Sequence, residues 1–428
     1  MFPSRKPTLV LLVTLLVFSF LAIQPSPATA MAELTFLVNS TEDLIDSAPG
    51  NSVCSANQAS GGPCTLRAAI IEANLNIHHT NVTILVTPGK YTLTIPHREE
   101  DSPRDGDLDI ETRYSNNLIT IKSTGDAGEV VITTADGFHD RILDIGVANV
   151  SISDIIFSGS KFEIAPNQFG GGAINNHGTL KLEGIKFTDN SVSCKPGENC
   201  TSEVVGGAIR NNGSLTIVDS TFSWNSANRG SAIFNVSDGI VDISHSTFTK
   251  NLSSTIVNYS SISILNSTFS EGVTGIINDG QLFLRSNTFA NFSETIRNTT
   301  DKPVYAANNI FTTQASKIFY DFDGIWSSGG YNIFSDNSWP GDLATGDLPN
   351  TNPKLGLLGS YGGPTRTHPL LEGSPAINHR PARCDSGSGK LSRDQRNFPR
   401  DGECDTGAFE HSGEYFKLLN LYLPFIRR

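Results

Sequence analysis

Three aspartates, Asp105, Asp107 and Asp109, alternate in the run RDGDLDIE. On an extended strand they would project from one face and offer hard oxygen ligands to a structural Ca²⁺. The EF-hand loop is not the template, because its later Gly and Glu positions are not filled, and carboxylates facing solvent at a coil edge are the plain alternative. Asp140, Arg141 and Asp144 form a second cluster, which a surface ion pair accounts for. His177, in Asn176-His177-Gly178, is the nearest approach to an acid–base histidine. It has no carboxylate in its own stretch, so an exposed turn residue is the expectation. Glycoside hydrolysis needs two carboxylates flanking a groove. Lyases of coiled architecture need acidic Ca²⁺ ligands and an Arg or Lys base. The hydrolase marks N-T-D, G-H-G and R-x-K are absent from the chain. No catalytic residue and no bound organic cofactor is assigned on these grounds.

What could hold such residues in place is written in the middle of the chain. GGAINNHGTLKLEGIKFTDN (171–190) is followed by GGAIRNNGSLTIVDSTFSWN (206–225), and looser versions continue to position 314. Each copy carries an isoleucine: Ile174, Ile209, Ile233, Ile256, Ile276 and Ile296. Two positions later comes an asparagine: Asn176, Asn211, Asn235, Asn258, Asn278 and Asn298. A phenylalanine follows thirteen or fifteen residues after the isoleucine: Phe187, Phe222, Phe248, Phe269, Phe289 and Phe311. Between these marks lie runs such as SLTIV, SISIL and QLFLR, in which every second residue is apolar, the signature of strands with one buried face.

A period of two nested in a period of about twenty predicts an all-β, right-handed parallel β-helix, with each unit burying its apolar face on the next. Ile and Phe then form internal columns. Asn occupies a corner, where its amide bonds backbone and its neighbours along the axis. Weaker marks before position 171 bring the expected count to eight or nine coils, on the order of 40 Å at the usual strand spacing.

The chain of 428 residues carries a net charge of −12 and no cluster of five basic residues, which excludes the usual electrostatic footprint of nucleic-acid binding. Residues 1–30 read as an export leader: Arg5 and Lys6, an apolar run Leu9–Ile23, then Ala28-Thr29-Ala30. That run falls short of the roughly twenty residues of a spanning helix, so no transmembrane span is expected in the mature chain. Six cysteines fall as near neighbours, Cys54 with Cys64, Cys194 with Cys200 and Cys384 with Cys404, which suits three local disulfides in an exported protein.

Both ends of the repeat carry other sequence, where capping is needed to protect open strand edges. CTLRAAIIEAN (64–74) reads as a short amphipathic helix placed to cover the first coil. It resembles the signature of the CSLREA proteins, exported bacterial β-helix proteins, matching it at Cys64, Leu66, Arg67, Ala69, Ile70, Ala73 and Asn74 and departing at Thr65 and Ala68. Toward the other end, NPKLGLLGSYGGPTRTHPLLEGSPAINHR and DQRNFPRDGECDTGAFE are similar to the choice-of-anchor Q domain. Matches include Asn352, Gly363, Pro364, Asp394, Gln395, Arg396, Asp405, Gly407 and Glu410; Tyr361 and Asn378 depart. The resemblance implies a fold and an export route more than an activity.

The expected organisation is a leader (1–30), an N-terminal cap with the first coils (31–95), the β-helix (96–340), a C-terminal cap (341–411) and an apolar tail ending in Arg427-Arg428 (412–428). Nine mostly apolar residues in that tail cannot span a bilayer, leaving a sorting signal or a last packed strand. The charges Arg393, Asp394, Arg396, Arg400 and Asp401 read as a solvated or mutually paired cluster. The functional expectation is a secreted or cell-surface β-helix, non-catalytic and adhesin-like, with polysaccharide or another cell-surface ligand as partner. The alternative is a polysaccharide lyase or glycoside hydrolase. A groove combining two or more acidic residues with an Arg or Lys from adjacent coils would favour the enzyme; a smooth Asn/Ser/Thr flank would favour binding.

Overall fold

The computed structural model describes residues 33–58, 61–76, 81–96, 103–111, 117–200, 203–313, 317–321, 324–381, 392–400 and 402–411. The leader, the apolar tail, Cys384 and Asp401 lie outside the described residues.

Alternating runs such as SLTIV bury Leu215 and Ile217 and turn Thr216 outward, so each forms one rung of a sheet with a single apolar face. Eleven such rungs, from Leu34–Val38 to Ile325–Ser328, pair in chain order as one parallel sheet. Ten steps at about 4.8 Å give a rod of roughly 48 Å, longer than the eight or nine coils read from the sequence. The extra length comes from coils that lack the Ile-x-Asn mark and were legible only as isolated alternating runs.

The rest of each coil belongs to a second parallel sheet, which contributes one strand at the Ile-x-Asn mark and one at the Phe mark. In two late coils these join into single strands, Thr268–Asn278 and Thr288–Asn298. The chain is therefore a spiral of parallel strands around one continuous core.

Equivalent residues stack in register. Phe157, Phe187, Phe222, Phe248, Phe269, Phe289 and Phe311 form a buried column whose neighbouring ring centroids lie 4.5–5.2 Å apart with nearly parallel planes. Parallel rungs impose face-to-face stacking that isolated rings would offset, and burial of each ring supplies the stabilisation. At the neighbouring corner, Asn176 Nδ2 donates to Asn211 Oδ1 (2.7 Å), and the chain of amides continues through Asn235, Asn258 and Asn278 to Asn298 at 2.8–2.9 Å.

Two further amide columns went unread in the sequence, Asn190 to Asn225 to Asn251 at one corner and Asn287 to Asn309 to Asn332 at another, at 3.0–3.1 Å. Their signal is present as an Asn three residues after, or two residues before, the marking Phe. The bend after the long-sheet strand is tight enough that Asp154, Asp219, His245, Asn266, Ser286 and Asn308 all adopt positive φ, with Gly184 at the same corner.

The two ends are closed differently. Helix Leu66–Asn74 starts at Thr65, whose side chain accepts from Ala68 N, and covers the first coils with Leu66, Ile70 and Ala73. At the other end Phe319, Trp326, Phe334 and Trp339 meet at 5.2–5.7 Å as an aromatic plug. The segment expected as the terminal cap instead folds back along the flank of the rod. Gln395 donates to Thr247 Oγ1 (3.0 Å) and accepts from Thr268 Oγ1 (2.5 Å), while Ala408 N donates to Thr288 Oγ1 (3.0 Å). These three threonines sit one residue before their marking phenylalanines on successive coils. Within the segment Arg396 pairs with Asp394 (2.6 Å) and lies 3.5 Å from the centre of the Phe409 ring, and Arg400 pairs with Glu410 (3.0 Å). The pairing is mutual, but these charges are buried rather than solvated.

Disulfides join Cys54 to Cys64 and Cys194 to Cys200, with Cα atoms 5.1 and 5.6 Å apart. Cys404 is also disulfide-bonded. Among the described residues no helix is long and apolar enough to cross a membrane.

Candidate active-site cleft

In every Ile-x-Asn strand the outer residues turn inward and the middle one points out, so stacking the strands stacks the middle positions. The register places Asp109 beside Asp144, Asp144 beside Asn175 and Asn175 beside Arg210. Four adjacent coils thus present two acids, an amide and a guanidinium in one line, each about 4.8 Å from the next along the axis.

The strand carrying Asp109 is gripped from behind. Arg67, fully buried, pairs with Asp43 (2.7 Å) and donates to the backbone oxygens of Gly106 (2.8 Å) and Asp107 (3.0 Å). Asn74 donates to Asp109 O (2.7 Å) and accepts from Glu111 N (3.1 Å). Two residues of the CTLRAAIIEAN stretch therefore fix the turn and strand that present Asp107 and Asp109.

That turn corrects the expectation for the three alternating aspartates. The strand is only Leu108–Ile110, so Asp105 and Asp107 precede it and do not share a strand face with Asp109. Among the described residues no group of three His, Cys, Asp or Glu is arranged to hold a metal ion.

Arg141 sits at the centre. Its Nε lies 3.8 Å from Asp107 Oδ2, and its guanidinium pairs with Asp144. It also lies 4.9 Å from the Phe162 ring centre, so the Asp140–Arg141–Asp144 cluster is a largely enclosed network and not the surface pair expected. Asn175 Nδ2 donates to Asp144 Oδ2 (2.9 Å), and Arg210 donates to Asn175 Oδ1 (3.1 Å). His177 occupies an exposed turn at the rim, with its ring nitrogens 3.0 Å from Asn175 Nδ2 and 3.2 Å from Asn212 Nδ2.

One wall comes from outside the coil repeat. Strand Lys161–Ile164 pairs with Ser191–Cys194 in a two-stranded sheet, and Phe162, Ile164, Val192, Cys200 and Val204 give it a core of its own. The Cys194–Cys200 bond closes the loop that follows. The resulting cleft, about 580 Å³, is lined by Asp107, Asp109, Asp140, Arg141, Asp144, Asn175, His177 and Arg210, and across from them by Phe162, Glu163, Phe169 and Lys195.

The electrostatics divide the cleft. Burial pushes the Asp107 carboxyl well above the usual carboxylate range; repulsion from Asp140 adds to this, and Arg141 opposes it. Burial would lower the Arg141 guanidinium, but Asp107, Asp144 and Asp140 outweigh it and hold the group charged. Burial also lowers His177, with Arg210 and Arg141 reinforcing and Asp144 opposing, so its neutral form prevails near pH 7. A buried carboxyl that holds its proton more tightly than usual, beside a second acid that accepts from a cation, is an arrangement suited to general acid–base chemistry.

A cleft of similar volume, about 590 Å³, lies between the late coils and the folded-back segment. Its lining has Glu271, Asp336 and His368 but no Arg or Lys, and the His368 ring nitrogens are taken up by Ser270 Oγ (2.9 Å) and Gly356 O (2.7 Å). Of the two clefts, the first alone sets cations beside its acids.

Arg210, Asn175, Phe162, Phe169, Glu163 and Lys195 were not singled out from the sequence. For the first two the signal was available, as the variable residue inside an otherwise constant Ile-x-Asn.

No family model matches the sequence, and no curated protein does. Among solved structures the chain is similar to a crystal structure of the pectate lyase Pel9A, at 13% identity and a TM-score of 0.43, over 87% of this chain and 97% of that one. The coil architecture rests on the strand register, which needs no relative.

Proposed function

We propose that the chain is an extracellular glycan-directed β-helix protein, and that the cleft hydrolyses glycosidic bonds. The carrying observation is the convergence of four aspartates, two arginines and an asparagine from four adjacent coils in one cleft. Asp107, whose burial makes it hold a proton more tightly than an ordinary carboxyl, gives that proton to the glycosidic oxygen as the bond to the anomeric carbon breaks. Asp144, oriented by Arg141 and Asn175, takes a proton from the water that adds to that carbon. The two disulfides and the apolar leader support export; the CSLREA-like and choice-of-anchor Q-like stretches support a surface destination. The terminal Arg-Arg tail fits a sorting signal on the same reading.

The test is release of new reducing ends from a polysaccharide panel, with binding measured in parallel. Asp107→Asn should lower turnover by about 10²- to 10⁴-fold while binding persists. Unsaturated products would move the chemistry to a lyase. An adhesin-like rod without catalysis is the second reading, favoured by the outer face of the long sheet, where Thr35, Thr83, Thr120, Ser151, Thr216 and Ser263 form a polar row interrupted by Lys181 and Asp242. Binding with no product from the wild-type chain would establish that reading.

A further inference from the structure

We propose that Phe169 is a sugar-stacking, specificity-determining residue and that the cleft takes an uncharged glycan in preference to an acidic one. The inference rests on the glycan reading of the cleft.

Phe169 is half exposed, at 52%, although it belongs to the wall of an enclosed polar cleft. A single exposed ring is common on any surface; here the ring is held in place at the cleft rim. Its carbonyl accepts from Arg141 Nη2 (3.4 Å), and the Arg210 guanidinium lies 5.1 Å from the ring centre. The next residue, Gly170, packs so closely on Val205 O that an added Cβ would stand 1.7 Å from it, which fixes the backbone just beyond Phe169. The exposed part of the ring is a rigid apolar surface opposite hydrogen-bonding groups, and the C–H face of a pyranose is the common biological surface that asks for both.

Charge decides between glycan classes. Among the described residues of the lining, Asp107, Asp109, Asp140, Asp144 and Glu163 stand with Arg141, Arg210, Lys195 and the two histidines His139 and His177. His139 Nδ1 is 3.2 Å from Glu163, and the His177 ring nitrogens face the amides of Asn175 and Asn212. Arg141 is thus held by two carboxylates and Arg210 by one amide, and five carboxyl side chains stand against three cationic ones on the lining, so a carboxylated or sulfated ligand meets an excess of negative charge. The whole chain, at −12, repels an anionic polymer further. The amide groups of Asn167 and Gln168 also stand on the lining, where they can meet sugar hydroxyls.

The experiment measures binding of the full chain, by calorimetry, to uncharged oligosaccharides (glucan, xylan and mannan fragments) and to carboxylated ones (polygalacturonate and alginate fragments). Cleavage is followed on the same set. Expected are at least tenfold tighter binding to an uncharged fragment, little change in that affinity between low and moderate salt, a tenfold or greater rise in KM for Phe169→Ala with kcat within a factor of three, and recovery in Phe169→Trp. An unchanged melting temperature for Phe169→Ala separates this from misfolding. Preference for a carboxylated fragment, or undiminished affinity in Phe169→Ala, overturns the inference and leaves the glycan reading standing. Absence of binding and cleavage across the whole set overturns both.

Discussion

Within each Ile-x-Asn strand, two columns one residue apart obey opposite rules. The Asn column is the same amide from Asn176 to Asn298, each bonded to the next at 2.7–2.9 Å. The adjoining outward column changes at nearly every step: Asp109, Asp144, Asn175, Arg210, Phe234, Val257, Ile277, Arg297. Inward and corner positions see the same surroundings in every coil, so one residue type serves them all. Outward positions meet a different neighbour wherever a wall or flank segment is added. Repetition therefore marks where the fold is specified, and interruption of the repeat marks where chemistry is placed.

The comparison breaks if the constant column can be cut cheaply. Phe248→Ala, removing one ring from the middle of the stack, should cost about 3–5 kcal/mol of stability in urea unfolding. Arg210→Ala, on the outward column, should shift stability by less than about 0.5 kcal/mol while lowering glycan affinity, and equal destabilisation by the two would erase the distinction.

Buried acids outside the columns supply a smaller, pH-dependent term. Burial raises Glu410 to about 7, with Arg400 opposing and Asp405 adding. Its folded-state value lies above its unfolded one, so between the two the folded chain binds the extra proton and stability falls as pH rises from about 4.5 through 7. Glu410→Gln should flatten that decline by roughly 2 kcal/mol in melts recorded at pH 5 and pH 8. Asn235→Ala interrupts one column and leaves amides of Asn211 and Asn258 short of a partner, for an expected loss of about 1–3 kcal/mol. The smallest effect is expected from calcium: chelation should leave the melting temperature unchanged, and a calcium-dependent rise would restore the Asp105–Asp107–Asp109 turn as a cation site.

Much of the fold was legible because stacking forces a period on the sequence, and Ile, Asn and Phe at fixed spacing carry it. The early coils were hard to count because they keep the strand alternation without the corner Asn, as in Leu143-Asp144-Ile145. The cleft was poorly legible for a different reason. Arg141 looked like a surface partner of Asp144 because nothing in its own stretch shows that Phe162, from a wall twenty-one residues on, closes over it. Likewise His177 lacks a carboxylate within its own copy, and the charge that acts on it, Asp144, arrives from the coil below. Sites assembled across rungs leave no local motif.

The folded-back segment carries a consequence for how the molecule is made. Gln395 reaches Ser246 and Thr247 across 149 and 148 residues, while each coil touches its neighbour across about twenty to thirty-five. Winding can thus proceed rung by rung as the polypeptide emerges, but the latch can engage only once nearly the entire chain has been synthesised. Until then the threonine row it shields stays open to solvent and to other nascent chains, so truncation before Gln395 should leave a wound but sticky rod.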